Sequence, residues 1–169
     1  MARDHARMKT SRGNDSDWRA LTMDAQWLYD NVLTQQRLSY CGVLDYFPGR
    51  LAEHAADATE AKVRASVKKL AKARFVVVDE GTAELLIRSF VRHDGVLDRV
   101  NMGKAMSRAL LTVTSRKIRD AVLMELARLM EEQPNLAGWA GFREIAPHEY
   151  DMASAMSSTI PFPMASGGA

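Results

Sequence analysis

The chain has 169 residues, 47% of them hydrophobic, and a formal net charge of +2. That apolar share supports a packed core and excludes global disorder, and the length suits one domain with an extension. No apolar run reaches the roughly 18 residues of a membrane span. MARDHARMKTSRGNDSD lacks the apolar stretch of a secretory leader, and Cys41, the single cysteine, excludes an internal disulfide and fits a reducing cytoplasm.

Residues 1–14 are polar and basic, with Arg3, Arg7, Lys9 and Arg12, and read as a flexible basic arm. Trp18 and Leu21 suit a short first turn. Thr22 stands where it can cap a helix in which Ala25, Leu28, Tyr29, Val32 and Leu33 recur at three- and four-residue steps. LSYCGVLDYF reads as a loop and a short strand around Gly42, Val43, Leu44 and Tyr46. Pro48 suits the first helical position of a two-turn helix with Leu51, Ala52 and Ala55 inward. Thr59 then caps EAKVRASVKKLAK, with Glu60 in the first turn, where the helix dipole favours an acid.

Residues 75–80 and 83–91 alternate as two strands around Glu80–Gly81–Thr82, a hairpin, and HDG (93–95) reads as a turn. Two helices follow at roughly 101–112 and 115–132, the second capped by Ser115 and stopped before Pro134. Residues 134–169 contain Gly, Pro, Ser and scattered aromatics without clear periodicity. The expected architecture is mainly α with a small β-hairpin (α+β): a winged helix-turn-helix over 15–95, a C-terminal extension of two helices over 96–133, and a loosely ordered tail over 134–169.

Charge is concentrated although the net value is small. Residues 60–75 hold Lys62, Arg64, Lys68, Lys69, Lys72 and Arg74 against Glu60 alone. Stepping about 100° per residue from Val63 puts Val67, Leu70 and Arg74 on one side, of which Val63, Val67 and Leu70 make the stripe expected to be buried. Ala61, Ala65, Lys68 and Lys72 fall opposite, flanked by Lys62, Arg64 and Lys69. Small alanines between long cations suit a helix that enters a groove about 12 Å wide and neutralises phosphates at its edges. A solvated lysine face is the plainer reading of the helix alone; the short helix before it and the hairpin after it favour nucleic acid. The hairpin tip carries Asp79, Glu80 and Glu84 and is a poor phosphate clamp, so the wing is expected to close the core. Lys104, Arg108, Arg116, Lys117 and Arg119 form a second basic cluster, either an extension of the phosphate contacts or the wet side of packed helices. The stripe Ile118, Val122, Leu126 and Leu129 would cover the core or pair with a second copy.

No P-loop, GxGxxG, HExxH, GxSxG or CxxC occurs, and His5, His54, His93 and His148 are dispersed, so neither an enzyme nor a cofactor or metal site is expected.

MARDHAR, WRALTMDAQWLYDNVL, LSYCGVL and ARFVVVDEGTAELLIRSFVRHDGV resemble the N-terminal winged-helix segment of actinobacterial phage and prophage proteins. The layout over about residues 1–110 is similar to the DNA-binding domain of phage replication-initiation proteins, the replisome organisers related to DnaD-type primosome proteins. That resemblance implies duplex DNA as partner, a bacterial host cytoplasm as location, and the helix from Thr59 to Lys72 as the reading element. The residues expected to contact DNA are Lys62, Arg64, Ala65, Lys68, Lys69 and Lys72, with Lys104 and Arg7 as helpers. Replisome organisers usually carry a substantial C-terminal domain that engages the helicase or its loader, which two helices and a tail would not supply. A dimeric transcriptional regulator joined through 118–130, or an interaction module that docks a replication or other protein through the C-terminal helices, are the other readings.

Overall fold

The computed structural model describes residues 7, 8 and 10–158. A 3-10 helix (Thr10–Asn14) and a one-turn helix α1 (Ser16–Arg19) lead into α2 (Met23–Leu33). The side chains that α2 buries are the five that its spacing singles out, Ala25, Leu28, Tyr29, Val32 and Leu33. Strand β1 (Val43–Asp45) follows, then α3 (Pro48–Ala52) with Pro48 in its first turn, shorter than the expected two turns. Helix α4 (Glu60–Lys72) starts where Thr59 Oγ1 accepts from the Lys62 backbone N–H at 3.3 Å. Val63, Val67 and Leu70 are buried, and α4 packs on α2 and α3.

Arg74 departs from the helical projection. The chain leaves α4 through a Schellman turn: Phe75 N–H reaches Leu70 O at 2.9 Å, Arg74 N–H reaches Ala71 O at 3.1 Å, and Arg74 takes φ +64°. Its side chain is exposed.

Strands β2 (Val76–Asp79) and β3 (Glu84–Ile87) are shorter than the alternation suggests, because the chain turns into the one-turn helix α5 (Phe90–His93) where a continued strand and a turn were expected. The sheet is antiparallel in the order β1-β3-β2, with Val43 opposite Leu86 and Asp79 opposite Glu84. The central strand β3 is buried throughout. The element order through β3 is the expected one within a mainly helical α+β fold, and β1 joins the expected hairpin to make a three-stranded sheet.

The C-terminal part is more ordered than expected. Helices α6 (Val100–Leu111) and α7 (Arg116–Glu132) lie close to their predicted bounds, and Ser115 Oγ caps α7 through the Ile118 N–H at 3.2 Å. Two further helices, α8 (Gly138–Ile145) and α9 (Pro147–Ser157), occupy most of the segment read as a loose tail; residues 159–169 lie outside the described residues. Helix α8 crosses α6 at backbone contact. A Cβ on Gly103 would stand 2.1 Å from Gly138 O, and one on Gly141 would stand 2.2 Å from Val100 O. The glycines that suggested a loop are the crossing point of two helices.

Helix α7 packs on β2, β3, α5 and α9. Ile118, Val122, Leu126 and Leu129 are at most 2% exposed, so the stripe considered as a dimer face over 118–130 is consumed inside the chain. Glu125, also buried on α7, accepts from Arg88 Nε at 2.8 Å and Arg128 Nη1 at 2.9 Å and draws Arg92, which binds Glu132, to 3.8 Å. The acidic hairpin is fastened to the start of the same helix. Glu84 Oε1 accepts from Thr114 N–H at 2.9 Å, Glu84 Oε2 from Ser115 N–H at 2.6 Å, Asp79 Oδ2 from Ser115 Oγ at 2.5 Å, and Lys117 Nζ donates to Val78 O at 2.9 Å.

The N-terminal arm is tied down where it is described. Arg12 lies 3.9 Å over the Trp18 ring and binds Asp30 at 2.6 and 3.1 Å, while Trp18, Tyr29 and Phe75 meet edge to face. Arg3 and Lys9 lie outside the described residues.

Two outcomes follow from these contacts. Gly141→Ala, which forces a methyl into the Val100 carbonyl, should lower stability by about 1–3 kcal/mol in urea unfolding. The Ser115 hydrogen bond, foremost, holds the Asp79 carboxyl below its ordinary 3.8, with desolvation opposing. A carboxylate lowered by folding stabilises the fold above its unfolded pKa, and the contribution is lost as pH falls through the folded value. Asp79→Asn should therefore flatten the loss of stability below about pH 4, read from midpoints across an acid series.

Candidate nucleic-acid interface

Helix α4 presents a face built by its own periodicity. With Val63, Ser66, Val67 and Leu70 buried, Ala61, Lys62, Arg64, Ala65, Lys68, Lys69 and Lys72 are left exposed. Six of the eight residues expected to contact DNA therefore lie on one surface.

The cations on that surface differ in what they bind. Lys62 Nζ donates to Asp57 O at 2.9 Å and lies 3.5 Å from Asp57 Oδ2. Arg64 is bound by Glu60 at 2.9 Å and has Glu80, at the wing tip, 3.8 Å away. The Glu60 hydrogen bond holds the Arg64 guanidinium above its ordinary value, so it stays cationic at any working pH. Lys69 Nζ donates to Thr22 Oγ1 at 3.3 Å, and Thr22 heads α2 without a side-chain cap bond. Lys68 and Lys72 have no ion pair or hydrogen bond among the described residues, and neither has Arg74. The first half of α4 is thus charge-balanced and its C-terminal half carries uncompensated positive charge. Cations there also suit the negative end of the helix dipole.

Arg74, exposed just past the end of α4, is the cation whose placement a straight helical projection gets wrong, because the projection carries it to the buried side. The signal lay in the step from LAKAR to FVVV, where a helix must end before a strand begins.

The other two expected contacts lie elsewhere. Lys104 Nζ binds Glu144 at 2.7 Å across the α6–α8 crossing. Arg7 binds Asp98 at 3.2 Å, and its backbone N–H reaches Asp94 at 3.5 Å, both in the segment around and after α5. Of the second basic cluster, Lys117 and Arg119 donate to the carbonyls of Val78 and Val113, Arg116 lies 3.9 Å from Asp120, and Arg108 is exposed. That cluster divides between inter-element bonds and a solvated edge.

The wing adds no cation to the face. Asp79 and Glu84 are spent on the start of α7, and Glu80 approaches Arg64. Among the described residues no group of three His, Cys, Asp or Glu side chains is disposed to hold a metal, and no helix is long and apolar enough to cross a membrane. Cys41 is fully buried, and burial pushes its thiol pKa up, away from thiolate chemistry.

An L-residue in the left-handed region is strained relative to glycine. Arg74→Gly should therefore raise stability by about 0.5–1 kcal/mol in urea unfolding, whereas a fall would show that the Arg74 stem contributes packing that outweighs the strain.

Compared with protein-family models, curated proteins and solved structures, the chain matched none of the three.

Proposed function

We propose that the protein binds duplex DNA through the exposed face of α4. The observation that carries this reading is the set of exposed cations without an ion pair among the described residues, Lys68 and Lys72 on the C-terminal half of α4 and Arg74 just past its end. Ammonium groups without a protein partner are free to displace counterions from phosphates, the main source of non-specific affinity for DNA. Ala61 and Ala65 keep the helix slim enough to approach a groove. The winged layout supports the reading by holding α4 against α2 and α3 with its cationic side outward.

A role in replication initiation or its control follows from the resemblance of residues 1–110 to phage replication-initiation domains. Of the alternatives, the dimeric regulator drew its support from the apolar side of α7, which the sheet and α9 cover, while the protein-docking module rests on the Met- and Leu-bearing C-terminal helices.

Binding to random duplex DNA, followed by fluorescence anisotropy over a salt series, tests the proposal. The wild-type protein should lose affinity steeply with salt, and Lys68→Ala/Lys72→Ala should reduce the magnitude of the slope of log K against log salt by about two. Affinity that ignores salt, or a double variant with the wild-type slope, would remove α4 from the interface.

A further inference from the structure

Arg64 is held differently from every other cation of α4. Glu60 Oε1, one turn back on the helix, accepts from Nε at 2.9 Å and lies 2.9 Å from Nη2. In a guanidinium, Nε–H and one N–H of Nη2 share an edge, and Glu60 occupies that edge. The end-on edge, formed by Nη1 and the second N–H of Nη2, carries no hydrogen bond among the described residues: Glu80 Oε2 stands 3.8 Å from Nη1, beyond hydrogen-bond length. A fork of two donors is therefore left available on a side chain 44% exposed, with its orientation set by a carboxylate.

The charge around Arg64 argues against a phosphate. Two carboxylates within 4.0 Å give the cluster an excess negative charge, and an approaching anion meets both. A neutral pair of acceptors meets no such repulsion. The major-groove edge of guanine presents one, N7 and O6, for which arginine is the bidentate partner. Ala61 and Ala65 are exposed on the same side and add no bulk between the helix and a base edge. Helix α4 contains no Asn or Gln, and its one hydroxyl, on Ser66, is buried, so its exposed side chains offer no pairing that selects adenine.

We infer that Arg64 is the specificity-determining residue of α4 and reads a guanine in the major groove, positioned by Glu60, while Lys68, Lys72 and Arg74 hold phosphates. The inference rests on the reading of α4 as a DNA surface and assigns its residues separate tasks. Glu60 is a positioning residue: it fixes which guanidinium edge is free and does not itself contact DNA.

The test is selection of duplexes from a random library by the wild-type protein, then anisotropy on the selected duplex with variants whose folding is confirmed by circular dichroism. The wild type should enrich one guanine position. Arg64→Ala should lose that enrichment and bind the selected duplex about 5- to 150-fold more weakly, with its salt slope unchanged. Replacing the guanine by 7-deazaguanine, which removes the N7 acceptor, should weaken the wild type and leave Arg64→Ala unaffected. Glu60→Gln should relax the guanine preference while steepening the salt slope, since Arg64 is then free to meet phosphates. Salt-dependent binding with no enriched guanine, or an Arg64→Ala variant that selects the same sequences, overturns the inference and leaves the DNA surface standing. So does an Arg64→Ala variant whose salt slope is shallower by one contact while its base preference is unchanged. A wild-type protein that binds no duplex at low salt overturns the DNA surface, and this inference with it.

Discussion

The Glu84 carboxylate, 8% exposed, accepts two backbone N–H groups at the head of α7. A buried charge is tolerated only when its hydrogen-bonding capacity is met, and Thr114, Ser115 and Thr82 meet it. The bond is charge-assisted and lies at the positive end of a helix dipole, so it favours one placement of α7 against the sheet. From that placement follow the covering of β2 and β3 by the apolar side of α7 and the burial of Glu125 among three arginines. The seat for α9 follows too. A hairpin that resembles a wing by order is thereby a fixed part of the core, with its acids engaged.

This constraint also shapes the surface. Because Asp79 and Glu84 are turned to α7, the acid that remains near α4 from the hairpin is Glu80, and it reaches only Arg64. Among the described residues, Lys68, Lys72 and Arg74 form no ion pair with a carboxylate. The helix is accordingly divided into a first half whose cations have acidic partners and a second half in which Lys69 meets only a hydroxyl and Lys68 and Lys72 have no ion pair among the described residues. Such a division separates tasks on one thirteen-residue helix, since free ammonium groups favour anions and a held guanidinium fork favours a defined pair of acceptors.

The α6–α8 crossing shows how a sequence signal can be read with the wrong sign. Gly138 and Gly141 are three residues apart, the spacing of one helix face, but beside Pro134 and a run without apolar periodicity they read as breakers. Helix α8 is only eight residues, so Trp139 and Phe142 on its buried side are too short a repeat to stand out between glycines and Pro147, and α9 buries Ala153 without a stripe. Their order comes from close backbone approach to α6 and from docking on α7. Arg74 and the arm residues Arg7 and Arg12 misled for a related reason. Each looked free or inward by position, and each is placed by a turn or partner that position does not encode.

The sequence by itself determined the features that act within one or two turns of chain. These are the caps at Thr59 and Ser115, the buried stripes of α2, α4 and α7, the hairpin, and the alanine and lysine face of α4. Each depends on a fixed period or a single local hydrogen bond, so each is legible in a short window. Tertiary structure alone decided which cations are free, which acids are spent, and whether the last helices form. Those outcomes join residues 30 to 40 positions apart, such as Glu84 with Ser115, Arg88 with Glu125, and Lys104 with Glu144. Charge in a sequence records only that a side chain can pair. The pairing is settled when packing brings two elements within hydrogen-bond distance.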